Sequence, residues 1–126
     1  MNHVPVVAYF ADDPTRTYQL AQWLPVLELL DQEQPSAFVC VSDTVAMGVL
    51  RALYERGLRA GRELAVVGFD DSVAAQVTTP ALTSVRQPLE EVAVEIVRYL
   101  GDLLHHRPVL ERGCTLTPTL TVRASS

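Results

Sequence analysis

Three pairs of residues put side-chain oxygens where chemistry can be done: Asp12-Asp13, Ser42-Asp43 and Asp70-Asp71. Each pair follows a short apolar run, Val4–Phe10, Ala37–Val41 and Leu64–Val67 in turn. The space just past the carboxyl ends of buried strands is where open parallel sheets bind ligands. Converging carboxylates can hold a Mg²⁺ ion of the kind used in phosphoryl transfer, because hard cations favour clustered oxygen ligands. A single carboxylate can instead accept two hydrogen bonds from a sugar or polyol, while a neighbouring hydroxyl or amide completes the set. The local alternative is that these residues cap helices and begin turns. It weighs most for Asp12, Asp13 and Asp71, evenly for Asp43, and least for Asp70, which emerges directly from Gly68-Phe69.

Other constellations carry less. All ten basic residues are Arg. The absence of Lys removes a phosphate-loop lysine, a Schiff-base lysine and the lysine of a receiver domain, and so weighs against phosphoryl transfer. His105 and His106 are adjacent and diverge on a helix, so they do not make a two-histidine metal face. Ser42 and Ser84 have no histidine near them in sequence, and a hydrolytic triad has no support. Tyr9, Tyr18, Trp23, Tyr54 and Tyr99 are too scattered for a base-stacking platform. Cys40 and Cys114 both lie in apolar, strand-like runs and read as small buried hydrophobes rather than a disulfide. The chain is therefore expected to be a binding domain, not an enzyme, with no metal or cofactor.

The elements that position these residues alternate. After the first apolar run, Leu20, Trp23, Leu24, Leu27 and Leu30 recur at helical spacing with a break at Pro25. Ser42-Asp43 supplies capping oxygens for a helix whose Ala46, Val49, Leu50 and Leu53 form one stripe and which stops at Gly57-Leu58. Leu82–Val85 reads as a fourth strand. Pro88 opens a helix with Glu90 and Glu91 in its first turn and a wide apolar face of Leu89, Val92, Ala93, Ile96, Val97, Leu100, Leu103 and Leu104. The stretch from Cys114 to Val122 reads as one or two strands. The order β-α-β-α-β, then β-α-β, is that of an α/β fold with a parallel sheet flanked by helices.

With 126 residues, 48% of them hydrophobic, the chain has the size of one ordinary domain. Its net charge of −5 leaves no basic surface for neutralising nucleic-acid phosphates. Neither a secretory leader nor an apolar run of membrane-spanning length is present in the sequence. The expectation is a cytoplasmic chain without membrane contact.

Three segments then fall into a known pattern: Val41-Ser42-Asp43-Thr44-Val45-Ala46-Met47-Gly48, Leu64-Ala65-Val66-Val67-Gly68-Phe69-Asp70-Asp71, and Thr79-Pro80-Ala81-Leu82-Thr83-Ser84-Val85-Arg86-Gln87-Pro88. In this order and spacing they closely resemble the effector-binding domain of the lactose-repressor (LacI/GalR) family of bacterial transcription regulators, over about Ala37 to Val122. The resemblance implies one lobe of a periplasmic-binding-protein-like (type I) fold, truncated. Residues 1–86 would form an incomplete second lobe, 87–112 the crossover and a helix of the first lobe, and 113–126 the return to the second lobe.

The resemblance also implies roles. Ser42 corresponds to a residue, often Asn, that hydrogen-bonds ligand hydroxyls; Asp70 to a carboxylate that grips the ligand; Gln87 to a position beside the interlobe cleft; and Leu89 to a side chain that covers the ligand. Asp43 corresponds to the acidic residue at the start of the helix, a cap near the site. Residues 44–56 and 71–80 would face a second protomer, with Met47, Leu50, Arg51, Tyr54, Asp71 and Val73 at the dimer interface. The partners implied are a small-molecule effector of sugar type, a homodimer mate, and DNA only through a helix-turn-helix that this stretch lacks. A cleft with one wall missing is expected to bind effector weakly or not at all. A periplasmic sugar-binding protein of a transporter is the alternative with the same fold, and a Mg²⁺-dependent phosphoryl-transfer domain is the enzymatic one.

Overall fold

In the computed structural model, residues 6–8, 26–27, 30–31, 35–107 and 113–126 are described. Expectations for Asp12, Asp13, Tyr9, Tyr18, Trp23 and the kink at Pro25 lie outside them. Strands β1 (Val6–Ala8), β2 (Ala37–Val39), β3 (Ala65–Phe69), β4 (Thr83–Arg86) and β5 (Thr119–Thr121) form one sheet in the order β1-β2-β3-β4-β5. The first four pair in parallel, with Phe38 opposite Val66 and Gly68 opposite Ser84. Helix α1 (Asp43–Glu55) connects β2 to β3, α2 (Val73–Val77) connects β3 to β4, and α3 (Leu89–Leu104) follows β4.

α1 forms because a capping serine precedes an apolar stripe. Val45, Ala46, Val49, Ala52 and Leu53 are buried, and Leu50 is half-buried at the stripe's edge, so the face is turned slightly from the one read in the sequence. The helix stops at Gly57, whose φ of 70° is in the left-handed region, and the Leu58 N–H donates back to the Leu53 carbonyl at 2.9 Å. The α1 stripe packs with Phe38, Cys40, Leu64, Val66 and Leu82 to make the core.

One face of the sheet is closed. Phe38, Val66, Gly68 and Ser84, which share a face by register, are buried, whereas Val39 and Val41 point the other way and are 47% and 48% exposed. The run Ala37–Val41 therefore does not form a strand buried on both sides. Strands laid side by side in chain order send their right-handed crossovers over the same face; on the opposite face the β2 end stays half exposed, whereas Thr83 in β4 is buried, its hydroxyl held by Arg123 and Ser126.

The last residues are stitched into the sheet. The Val66 N–H donates to the Ser125 carbonyl at 2.7 Å, the Thr83 N–H donates to Ser125 Oγ at 2.8 Å, and the Ser125 hydroxyl donates to the Val66 carbonyl at 2.6 Å. Cys114, by contrast, is exposed and outside any strand, contrary to the expectation of a buried hydrophobe. Thr115, Thr117 and Pro118 are exposed around it, and such a stretch has no apolar face to bury.

Residues 1–86 and 120–126 make one compact unit and residues 87–119 the other. In the second unit α3 has the acidic first turn read from the sequence, Glu90 and Glu91, and none of its 16 residues is buried.

Candidate functional site

Ser42 and Asp70 stand just past the carboxyl ends of β2 and β3, which are neighbours in the sheet. The parallel register that pairs Val39 with Val67 brings both loops to the same edge. Ser42 has an extended backbone and is the N-cap of α1; its Oγ accepts a hydrogen bond from the Val45 N–H at 3.3 Å. Capping uses an oxygen lone pair, and the hydroxyl keeps its proton for donation.

The loop after β3 is strained and held. Asp70 and Asp71 have φ values of 113° and 51°, a region that side-chain-bearing residues seldom adopt, at a cost of order 1–3 kcal/mol each. Three consecutive amides are tied down in return. The Asp70 N–H donates to the Val85 carbonyl at 2.9 Å, the Asp71 N–H to Ser84 Oγ at 3.0 Å, and the Ser72 N–H to Asp43 Oδ2 at 2.7 Å. The result leaves Asp70 exposed at the edge of the sheet.

Asp43 is the hub of this arrangement, and here the structure corrects the sequence reading. The cap is Ser42; Asp43 is the first helical residue, 2% exposed, with its carboxyl group turned inward. One oxygen accepts from the Ser72 amide and the other from the Ser84 hydroxyl. The chain Asp71 N–H to Ser84 Oγ, then Ser84 Oγ–H to Asp43 Oδ1, joins β4, α1 and the strained loop. Gly68 leaves the room: a Cβ there would lie 2.3 Å from Asp43 Oδ1 and 2.9 Å from Leu82 Cδ2.

Asp71 is a second inward carboxylate. Its side chain has no exposed surface. Arg86 Nε and Arg123 Nη2 donate to it at 2.6 Å each, and Thr121 Oγ1 at 3.1 Å. Burial alone would raise its pKa, but hydrogen bonds from Arg123, Arg86 and Thr121 and the charge of Arg123 hold it below the ordinary carboxylate value. The expectation that Asp71 faces a second protomer is thus replaced by a role inside the chain. Of the other residues read as interfacial, Tyr54 and Val73 are 77% and 79% exposed, Arg51 is exposed and paired with Glu55, and Met47 and Leu50 are half-buried. Cys40 is buried; desolvation and the nearby Asp43 charge push its thiol up to about 12.

Gln87 and Leu89 belong to the 87–119 unit, where Gln87 is half-buried and Leu89 63% exposed. Sequence reasoning missed Ser84, Ser72, Arg123 and Ser125. The available signal was the run Thr83-Ser84 inside an apolar strand, since a buried hydroxyl requires a partner. Among the described residues, no group of three or more His, Cys, Asp or Glu is placed to hold a metal ion, and no helix is long and apolar enough to cross a membrane.

Comparison with known proteins identifies the family and the fold. Residues 2–126 match the family described as periplasmic binding protein-like domain. An uncharacterised HTH-type transcriptional regulator in the aml 5' region of Streptomyces limosus is 42% identical over 91 residues, 72% of this chain and 26% of that protein. The transcriptional regulator CelR in complex with cellobiose superposes with a TM-score of 0.76 at 33% identity, over 85% of this chain and 33% of that one. The lac repressor dimer bound to operator and the anti-inducer ONPF superposes with a TM-score of 0.76 at 26% identity, over 85% of this chain and 32% of that one. The chain spans 26–32% of the length of the curated relatives it matches.

Proposed function

This chain belongs to the periplasmic binding protein-like domain family, as the C-terminal part of a LacI/GalR-type effector-binding domain, and from that premise we propose that it senses a sugar or related metabolite for a DNA-binding regulator. Asp70 accepts hydroxyl hydrogen bonds from the ligand and Ser42 donates one through its remaining proton, while Gln87 and Leu89 keep the ligand-facing roles that the family resemblance implies. Met47, Leu50, Arg51, Tyr54 and Val73 form a self-association face. Residues 1–86 and 113–126 are read as one lobe, and 87–112 as the crossover and part of the other. DNA is engaged only through a helix-turn-helix elsewhere in such a regulator, and the setting is cytoplasmic.

The mechanism is a population shift in which no bond is made or broken. A ligand that binds one interlobe arrangement better than the other moves the equilibrium by its differential affinity and so biases distant DNA-reading elements. The observation that carries the reading is the loop after β3, where three fixed amides and two strained residues support an exposed carboxylate at the same sheet edge as Ser42. Strain held this firmly is characteristic of ligand clamps.

Calorimetry with a panel of pentoses, hexoses and disaccharides tests it. The expected result is that one sugar class binds, weakly because part of the cleft is missing from this chain, and that Asp70→Asn weakens binding further by about 1.5–3 kcal/mol, the worth of hydrogen bonds to a charged acceptor. Sugar binding that ignores both Asp70→Asn and Ser42→Ala would sink the assignment of these residues.

A further inference from the structure

A hollow beside the second half of α1 has no part in the proposed sugar site. Leu50, Tyr54, Leu58, Arg59, Arg62 and Pro80 line it, and its volume of about 490 Å³ falls in the range of small-molecule sites, roughly 300–1,000 Å³. Ala60–Arg62 precede β3, and Thr79-Pro80 precede β4, so the hollow lies at the amino ends of these strands, the opposite end of the sheet from Ser42 and Asp70.

Charge singles it out. Among the described residues Arg51, Arg56, Arg86, Arg98, Arg107 and Arg123 are each ion-paired. Arg59 and Arg62 are the two without an ion pair, and both line the hollow. The acidic residue of the same loop, Glu63, has a carboxylate oxygen on the Arg59 N–H. The loop that carries them is fixed. The Gly61 N–H donates to the Leu64 carbonyl at 2.9 Å, the Arg62 N–H to the Arg59 carbonyl at 3.2 Å, and the Arg59 N–H to Glu63 Oε2 at 2.7 Å. Gly61 has a φ of 77°, and a Cβ there would lie 2.0 Å from the Ala124 carbonyl oxygen, so the chain's last residues close against this loop. Guanidinium groups anchored on a fixed backbone lose less freedom when they bind.

We propose that this hollow binds a small organic anion with an apolar or aromatic body. Arg59 and Arg62 hold its phosphate or carboxylate, whose paired oxygens suit the guanidinium fork, and the body lies against Leu50, Leu58 and the exposed ring of Tyr54. Leu50 and Tyr54 also belong to the face read above as self-associating, so anion binding and self-association are linked through them. The site itself does not depend on the sugar reading.

Amide chemical shifts of the chain, titrated with phenyl phosphate, benzoate and inorganic phosphate, test it. Phenyl phosphate or benzoate is expected to shift residues 58–63 and Ala124, and the stronger of the two identifies the anion. Inorganic phosphate, lacking the body, is expected to bind about tenfold more weakly, and an Arg59→Gln/Arg62→Gln variant to lose about tenfold or more in affinity. The variant's circular dichroism should stay unchanged, and Asp70→Asn should bind normally. No shifts at millimolar probe, shifts retained in the double variant, or shifts that follow protein concentration instead of probe would overturn the proposal.

Discussion

Asp43 and Asp70 carry the same side chain in opposite settings, and the difference assigns their work. Asp43 is 2% exposed and accepts from the Ser72 amide and the Ser84 hydroxyl, whereas Asp70 is exposed on a loop those bonds support. Replacing Asp43 with Ala strands two buried donors, so urea denaturation of Asp43→Ala is expected to show a loss of about 3 kcal/mol. Asp70→Asn, which keeps the side chain's shape and the loop's backbone bonds, should cost less stability than Asp43→Ala. Equal losses for the two variants would contradict this division. The exposed carboxylate was legible in the sequence because Asp70 follows Gly68-Phe69 directly out of a strand. The inward turn of Asp43 was not, because its partner Ser84 is 41 residues away and only the pairing of β3 with β4 brings the two together.

At the scale of elements, helix periodicity and strand order were readable, and strand edges and coverage were not. The stripe of α1, the acidic first turn of α3 and the parallel pairing of the first four strands follow from patterns of three to five residues. Val39 and Val41 were read as buried because an apolar run looks the same whether one or both faces are covered. α3 poses the same question on a larger scale. Val94, Ile96, Val97, Leu100, Leu103 and Leu104 are each at least half exposed, and burying such a side chain is worth about 1.5–3 kcal/mol. Sedimentation velocity is expected to show self-association of this chain that weakens in a Val97→Glu/Leu104→Glu variant. A wild-type chain that sediments as a monomer across the concentration range would count against this.

For the whole molecule, the chain's last residues decide how the unit of residues 1–86 and 120–126 is closed, through Ser125 in the sheet and Arg123 on Asp71. Asp71 links this closure to pH. Its pKa is held below the ordinary carboxylate value of 3.8, so the unfolded chain takes up this proton first as pH falls. The stability it contributes is therefore full above that value and is lost as pH drops below it toward the lower folded value. Acid titration of stability should show a shallower loss in Asp71→Asn than in the wild type below about pH 4. The variant should already be weaker at neutral pH by about 2 kcal/mol, because it leaves Arg123 less well paired. Identical acid profiles would remove Asp71 from the account.

The central claim is that a sugar-type effector meets this chain at the edge formed by Ser42 and Asp70. Mapping amide chemical shifts during titration with a disaccharide such as cellobiose tests it most directly, since shift mapping also detects binding in the millimolar range. The account predicts perturbations concentrated at residues 41–44 and 68–72 that disappear in Asp70→Asn. Perturbations confined to the hollow around Arg59 and Arg62, or unchanged in Asp70→Asn, would contradict it.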